Sequence, residues 1–360
     1  MAMPTFAADG GKTTEAWITK TYYTEVGKAE KFSFTAEQVK TGTGIITTDA
    51  AVTMPEISFT DTETGTISKR GQITFPTYPE AGKYEYTVTE TQTADPIVAN
   101  SEHEKMIMSQ AEYTMDVYVT DGATGTEISN IVVNKVKDDA GQTATGKVDI
   151  GNTDTNRFNF TNTYVQEAGT GTDPTNPDPI YNQFGSLNVS KKIVNANGTA
   201  TTPDDEFAFT ATFAFPKGTD ANTLGGIKDA NGKSVTLGEG GTYTFKLKAN
   251  ANMKFTGVPV GTTISVKESA AKNYKGSAEI TINGTKLTPV AATSYNTELT
   301  AVNNNEKLGQ KQNIVDVTNT YNDVPVTGII MNTLPYVLMI ALCGVALIAF
   351  VGFKRRRLQK

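Results

Sequence analysis

Cysteine and histidine are almost missing from this chain: its 360 residues include one of each, Cys343 and His103. Cys343 lies inside a long apolar run, so the remainder carries no disulfide, no thiol nucleophile and no cysteine metal site. A single histidine allows at most one Ser-His-Asp triad, and no Gly-x-Ser-x-Gly elbow accompanies it. His103 stands in Ser-Glu-His-Glu-Lys with no partner at zinc-site spacing, and it reads as a solvated loop residue. No metal or cofactor is expected. Positive charge is also scarce outside the C-terminus. The formal charge is −6, and without Lys354, Arg355, Arg356, Arg357 and Lys360 the rest has 27 basic against 38 acidic residues. Such a surface argues against nucleic acid as a partner. Gly11-Lys12-Thr13 imitates the end of a phosphate-binding loop, but Phe6 occupies the place of the required glycine and no strand precedes it.

What is present is Thr, Asn and Gly in abundance, with short apolar runs between turn residues. That pattern predicts an all-β protein. A repeat divides it. Phe158-Asn159-Phe160-Thr161-Asn162-Thr163-Tyr164 closes one half and Val315-Asp316-Val317-Thr318-Asn319-Thr320-Tyr321 closes the other. The length suits two domains and a remainder. The expected organisation is a disordered start or signal-peptide remnant over 1–11, a first β-sandwich over 12–165, a linker over 166–185, a second sandwich over 186–322, and a C-terminal segment over 323–360. Pro174, Pro177 and Pro179 predict an extended, semi-rigid linker.

Period-two alternation orients the side chains. Ala16, Ile18, Lys20 and Tyr22 share one face of a first strand. Phe32 and Phe34 start another. Tyr84, Tyr86, Val88 and Glu90 are in phase after a turn at Pro79–Gly82. Tyr113–Val119 and Ile131–Val136 read as a further pair, and Asn162 is in phase with Phe158 and Phe160. The second half repeats this with Leu187, Val189, Lys191 and Ile193, then Ile264, Val266 and Glu268, then Val315, Val317 and Asn319. Phe207 and Phe209 echo Phe32 and Phe34.

Each half therefore places a lysine, a glutamate and an asparagine among apolar neighbours. Burying an ammonium and a carboxylate costs several kcal/mol per ion even when they are paired. Burial lowers a lysine pKa and raises a glutamate pKa. A neutral amine is a nucleophile, and a protonated carboxyl group can polarise an amide carbonyl. Attack on the asparagine carbon would expel ammonia and leave a Lys–Asn amide, a single-turnover reaction of the protein on itself.

The motifs Leu-x-Val-x-Lys, Tyr-x-Val-Thr-Glu and Phe-Thr-Asn resemble those of the isopeptide-forming domains of streptococcal-type pilus shaft proteins. Ala16 stands in place of the usual Leu in the first copy, and Val317 in place of the usual Phe in the second. The resemblance covers both halves and implies immunoglobulin-like sandwiches related to collagen-adhesin B-type domains. It further implies bonds Lys20–Asn162 assisted by Glu90 and Lys191–Asn319 assisted by Glu268.

Val324-Pro325-Val326-Thr327-Gly328 is followed by an uncharged stretch, 329–353, and a basic cluster. The stretch is long enough to span a bilayer, with its basic end cytoplasmic and the two domains outside. The whole segment resembles a sortase sorting signal, which implies cleavage between Thr327 and Gly328 and transfer of Thr327 to an amine. The family's acceptor lies late in the first domain, where Lys135, Lys137 and Lys147 stand. Lys147 follows a Gly- and Thr-rich stretch that reads as an exposed loop. The expectation is a secreted, wall-anchored pilus shaft subunit whose partners are sortase, neighbouring pilin subunits or peptidoglycan, and transiently the membrane. It turns over no external substrate. The alternative is a monomeric anchored adhesin or stalk. The lack of cysteine in the exported part argues against a thioester adhesin, and a hydrolase finds no recognisable triad or metal cluster.

Overall fold

A computed structural model of the chain describes residues 13–322. The signal-peptide remnant, Val324–Gly328, the apolar stretch and the basic tail lie outside the described residues. Among those described, no helix is long and apolar enough to cross a membrane.

The protein is all-β, in two halves. The first contains β1 (Trp17–Thr24), β2 (Glu30–Phe32), β3 (Phe34–Gln38), β4 (Ile57–Phe59), β5 (Gly65–Gln72), β6 (Gly82–Glu90), β7 (Glu104–Ile107), β8 (Glu112–Gly122), β9 (Gly125–Lys137), β10 (Thr143–Val148) and β11 (Asn159–Gln166). One sheet runs β5-β1-β11-β7 and the other β10-β9-β8-β6-β3. Alternation explains the packing. Tyr84, Tyr86, Val88 and Glu90 of β6 are buried in turn, and Tyr113, Met115, Val117 and Val119 of β8 follow the same rule. Aromatic contacts join the sheets: Tyr113 meets Phe158 and Phe160 edge-on, and Phe34 lies 5.1 Å from Phe160.

The second half contains a short helix α1 (Pro179–Phe184), then β12 (Leu187–Val194), β13 (Phe207–Ala214), β14 (Thr242–Leu247), β15 (Asn252–Phe255), β16 (Thr263–Glu268), β17 (Tyr274–Ile282), β18 (Thr285–Lys286), β19 (Val290–Ala291), β20 (Leu299–Lys307) and β21 (Ile314–Tyr321). Its sheets run β15-β12-β21-β17-β18 and β14-β13-β16-β20.

In each half the first strand lies parallel to the last. β1 pairs with β11 and β12 with β21, and the remaining neighbours within these sheets are antiparallel. A parallel pair needs a long crossover. Here the crossover is the rest of the domain, so the two ends of each domain's chain sit side by side.

Three details differ from the sequence reading. Phe32 and Phe34 do not begin one strand. The chain breaks at Ser33, β2 pairs with β4, and β3 joins β6 in a main sheet. Residues 166–185 are not an extended spacer. Gln166 to Thr170 are buried, Glu167 and Ala168 bond backbone to backbone with His103 and Val258, and Val260 donates to the Gln166 carbonyl. Pro179 opens α1, where its missing N–H costs nothing, and Asp178 caps the helix by accepting from the Ile180 amide at 3.1 Å.

Nor is His103 solvated. Its Nδ1 lies 2.6 Å from Glu167, and its ring packs edge-on against Tyr181. Glu167 is buried and also accepts from the Tyr181 hydroxyl (2.7 Å), the Ser186 hydroxyl (2.6 Å) and the Gly257 amide. One carboxylate thus gathers residues from both domains and from the segment between them.

The hydrogen bond to Glu167 raises the His103 pKa above the ordinary imidazole value of 6.5. A raised pKa in the folded state contributes stability that is fully present below the unfolded value and lost as pH rises through the folded one. Hydrogen exchange at the Ala168 and Gly257 amides, corrected for intrinsic rates, should therefore lose protection as pH rises from about 6 through the folded pKa of His103. His103→Gln should flatten that dependence. Equal slopes in the two proteins would remove His103 from the joint's pH response.

Candidate functional site: two buried Lys–Glu–Asn clusters

The parallel register sets the geometry. Lys20 lies opposite Phe160 and Tyr22 opposite Asn162, while Lys191 lies opposite Val317 and Ile193 opposite Asn319. In both domains the lysine is two residues before the position facing the asparagine. Both side chains are on the inner face, about 7 Å apart along the strand, a span that the long lysine side chain covers. The glutamate comes from the opposite sheet. Glu90 ends β6 and Glu268 ends β16.

All six residues are buried, with Lys20 and Asn162 at 0 % exposure. In the first domain Lys20 Nζ is 2.6 Å from Glu90 Oε1, and Asn162 Nδ2 donates to the same oxygen at 3.0 Å. In the second domain the corresponding distances, Lys191 to Glu268 and Asn319 to Glu268, are both 2.7 Å. Each ammonium also rests on an aromatic face. Lys20 is 4.4 Å from the Phe32 centroid and Lys191 4.3 Å from that of Phe207.

Burial dominates the electrostatics. Desolvation lowers both lysines to about 8, against the pull of the adjacent glutamate. It raises Glu90 and Glu268, against the pull of the lysines and asparagine amides. The second oxygen of each carboxylate, Glu90 Oε2 and Glu268 Oε2, is buried without a hydrogen-bond partner. Full ionisation leaves that oxygen charged and unsatisfied, so burial shifts both groups toward their neutral forms.

The sequence reading set the glutamate against the asparagine carbonyl. The structure sets it against the amide nitrogen. In the first domain a backbone donor fixes that orientation: the Ser109 N–H donates at 2.7 Å to Asn162 Oδ1, so that atom must be the oxygen. In the second domain Asn319 Oδ1 is buried without a partner and faces Gly276, where a Cβ would stand 3.1 Å away. The sequence pattern noticed the phenylalanines only as a repeated strand, not as the lysines' platforms. It could not have found Ser109, because a backbone N–H has no residue signature.

The three late lysines are dispersed. Lys147 is exposed on β10, an edge strand paired with β9 rather than a position after a loop, with a bulge between Thr143 and Gly146. Lys137 is ion-paired to Glu112 at 2.7 Å, and Lys135 is half-buried over the Tyr113 ring. Among the described residues, no group of three or more His, Cys, Asp or Glu is placed to hold a metal.

Residues 16–165 match the family described as the Spy0128-like isopeptide containing domain, and residues 185–321 match a domain of unknown function, DUF7601. No curated protein matches the chain. Similar solved structures include the major pilin protein (T3.2) from Streptococcus pyogenes, 21% identical, covering 86% of this chain and 99% of that one with a TM-score of 0.34. Another major pilin from Streptococcus pyogenes is 18% identical over the same shares, with a TM-score of 0.36. A bacterial adhesin from Mobiluncus mulieris containing disulfide, isopeptide and ester cross-links is 14% identical, covering 82% of this chain and 85% of that one, with a TM-score of 0.24. The first domain, with its buried Lys20, Glu90 and Asn162, is thus similar to the Spy0128-like isopeptide containing domains, a likeness that spans less than half of the chain.

Proposed function

We propose that the chain is a structural pilus shaft subunit, cross-linked internally by Lys20–Asn162 and Lys191–Asn319 amides and joined to its neighbours by sortase. The observation that carries this reading is the pair of buried Lys–Glu–Asn clusters, each spanning the first and last strands of its domain. The second domain matches a family with no assigned function, so its cross-link rests on that geometry alone. Both domains are read as immunoglobulin-like sandwiches of the collagen-adhesin B type.

The chemistry is atom-balanced. The lysine passes a proton to the glutamate and its Nζ lone pair attacks asparagine Cγ. The Cγ–Nδ2 bond breaks as Nδ2 takes up one proton through Glu Oε1 and leaves as ammonia, and the second proton lost by the lysine nitrogen remains on the glutamate. Glu90 and Glu268 touch both the incoming and the departing nitrogen, which suits a proton carrier. Holding the three groups together supplies about 7–11 kcal/mol of the barrier where alignment is good. No external substrate is turned over.

Export and assembly rest on the C-terminal sequence. Val324, Pro325, Val326, Thr327 and Gly328 form the sorting pentapeptide, 329–353 holds the precursor in the membrane, and the domains face outward. Sortase then links Thr327 to a lysine of the next subunit. Lys147 is the favoured acceptor, because it is exposed on the edge strand β10, while Lys137 and Lys135 stand on β9 inside the sheet and Lys135 is half-buried.

Intact mass of the exported region should fall short of the sequence mass by two ammonia molecules. Glu90→Ala and Glu268→Ala should each restore one. Each should also cost its own domain about 3–5 kcal/mol through the unpaired buried lysine. The lost covalent closure of a long loop should cost about 5 kcal/mol more. The full sequence mass in the parent protein would refute the cross-links.

Digested native fibres should yield a branched peptide with Thr327 on the ε-amine of Lys147, Lys137 or Lys135. Thr327 found only on peptidoglycan cross-bridges would instead make the protein a monomeric anchored stalk or adhesin.

A further inference from the structure

The two clusters are alike in lysine, glutamate and asparagine but not at the asparagine oxygen. Asn162 Oδ1 accepts the Ser109 N–H at 2.7 Å, whereas Asn319 Oδ1 is buried without a partner. That oxygen is where negative charge develops when an amine adds to Cγ, since the carbonyl π electrons move onto it as the Nζ–Cγ bond forms. A donor already aimed there acts as an oxyanion hole.

The donor is held in place. Asp139 Oδ1 accepts from the Ser109 hydroxyl at 2.5 Å and from the Thr161 amide at 2.8 Å. Thr161 immediately precedes Asn162, so one carboxylate oxygen ties the segment carrying the donor to the strand carrying the acceptor. The Ser109 hydroxyl also accepts the Ala111 amide at 3.1 Å, the Asp139 carbonyl accepts the Gln110 amide at 3.0 Å, and the Gln92 side chain donates to the Ser109 carbonyl at 2.9 Å. These bonds hold the segment that carries the Ser109 N–H.

We propose that the Ser109 N–H is the oxyanion donor for the Lys20–Asn162 bond, that Asp139 is its positioning residue, and that the first domain therefore closes its cross-link faster than the second. This rests on the cross-linking function proposed above. As Nζ bonds to Cγ, Oδ1 becomes an oxyanion facing the Ser109 N–H. Collapse of the intermediate restores the carbonyl and expels Nδ2 as ammonia, with Glu90 carrying protons from the attacking to the leaving nitrogen. The second domain performs the same steps with no backbone donor at Asn319 Oδ1.

The test follows both bonds in the full chain after pulse synthesis in a cell-free system, with the two linked peptides quantified by mass spectrometry over time. In the parent the Lys20–Asn162 peptide should accumulate first. Incorporating the α-hydroxy analogue of serine at position 109 replaces the N–H by an ester oxygen. It should slow that bond by about 10²- to 10³-fold and leave Lys191–Asn319 formation unchanged. Asp139→Ala should slow the first bond alone, and Asp139→Asn, which keeps an acceptor oxygen, should recover most of the rate. A purely structural role for Asp139 predicts no such recovery at equal folded fraction. Parent rate in the 109 ester, or equal rates for the two bonds in the parent, would overturn the proposal while leaving the cross-links standing. Absence of both linked peptides from the parent would instead refute the cross-linking function itself.

Discussion

The parallel pairing of first and last strands is the constraint on which each domain depends. It alone brings a residue near the start of the domain beside one near its end, on the inner face of one sheet, at a fixed offset. With that register set, the opposite sheet has only to deliver a carboxylate. Glu90 and Glu268 do so from strand ends, where the apolar alternation of β6 and β16 continues for one more step. A one-residue slip in β11 or β21 would turn the asparagine outward and separate the three groups.

The same pairing governs how load passes through the molecule. The chain enters each domain on the strand next to the one by which it leaves, and the proposed amides lie between those strands. The rest of each sandwich is thereby bypassed. Between the domains the path crosses a segment that begins buried, at Gln166 to Thr170, and then runs mostly exposed to residue 184. There Glu167 collects Tyr181, Ser186, Gly257 and His103, and backbone bonds from Ala168 and Val260 extend the contact. The surface pair Glu25–Lys307, at 3.2 Å, adds little by comparison, since exposed pairs contribute about 0–1 kcal/mol. The joint is held mainly by these buried, directional bonds.

Much of this was legible in the sequence because a strand exposes its neighbours to opposite faces. Lys20, Glu90 and Asn162, with Lys191, Glu268 and Asn319, could be identified as inward-pointing from period two alone, and all six are buried. What alternation cannot convey is contact between distant segments. His103 looked solvated because its neighbours are polar, yet its partner lies 64 residues away. Residues 166–185 looked extended because three prolines disfavour regular structure, yet Pro179 starts a helix and Gln166 to Thr170 are covered by the second domain. Ser109 matters through its backbone, which every residue except proline shares.

The unreacted clusters are also poor as a means of stability. Two ions buried together rarely repay their desolvation, and an apolar trio of similar volume would hold the sheets at least as well. Their retention in both domains is better explained by reactivity than by cohesion. Desolvation lowers the lysines to about 8 and raises the glutamates, and both shifts lower the cost of moving the proton from nitrogen to oxygen inside the cluster. Forming the amide then removes the buried charge for good. The amine and primary amide become one neutral secondary amide, and its N–H can still serve the glutamate. The folded, unlinked domain carries an electrostatic penalty that the proposed reaction would relieve, and escape of ammonia to solvent would keep the reverse step from competing. In the proposed reaction the energy spent on burying charge is recovered as a bond that neither reduction nor a change of pH undoes.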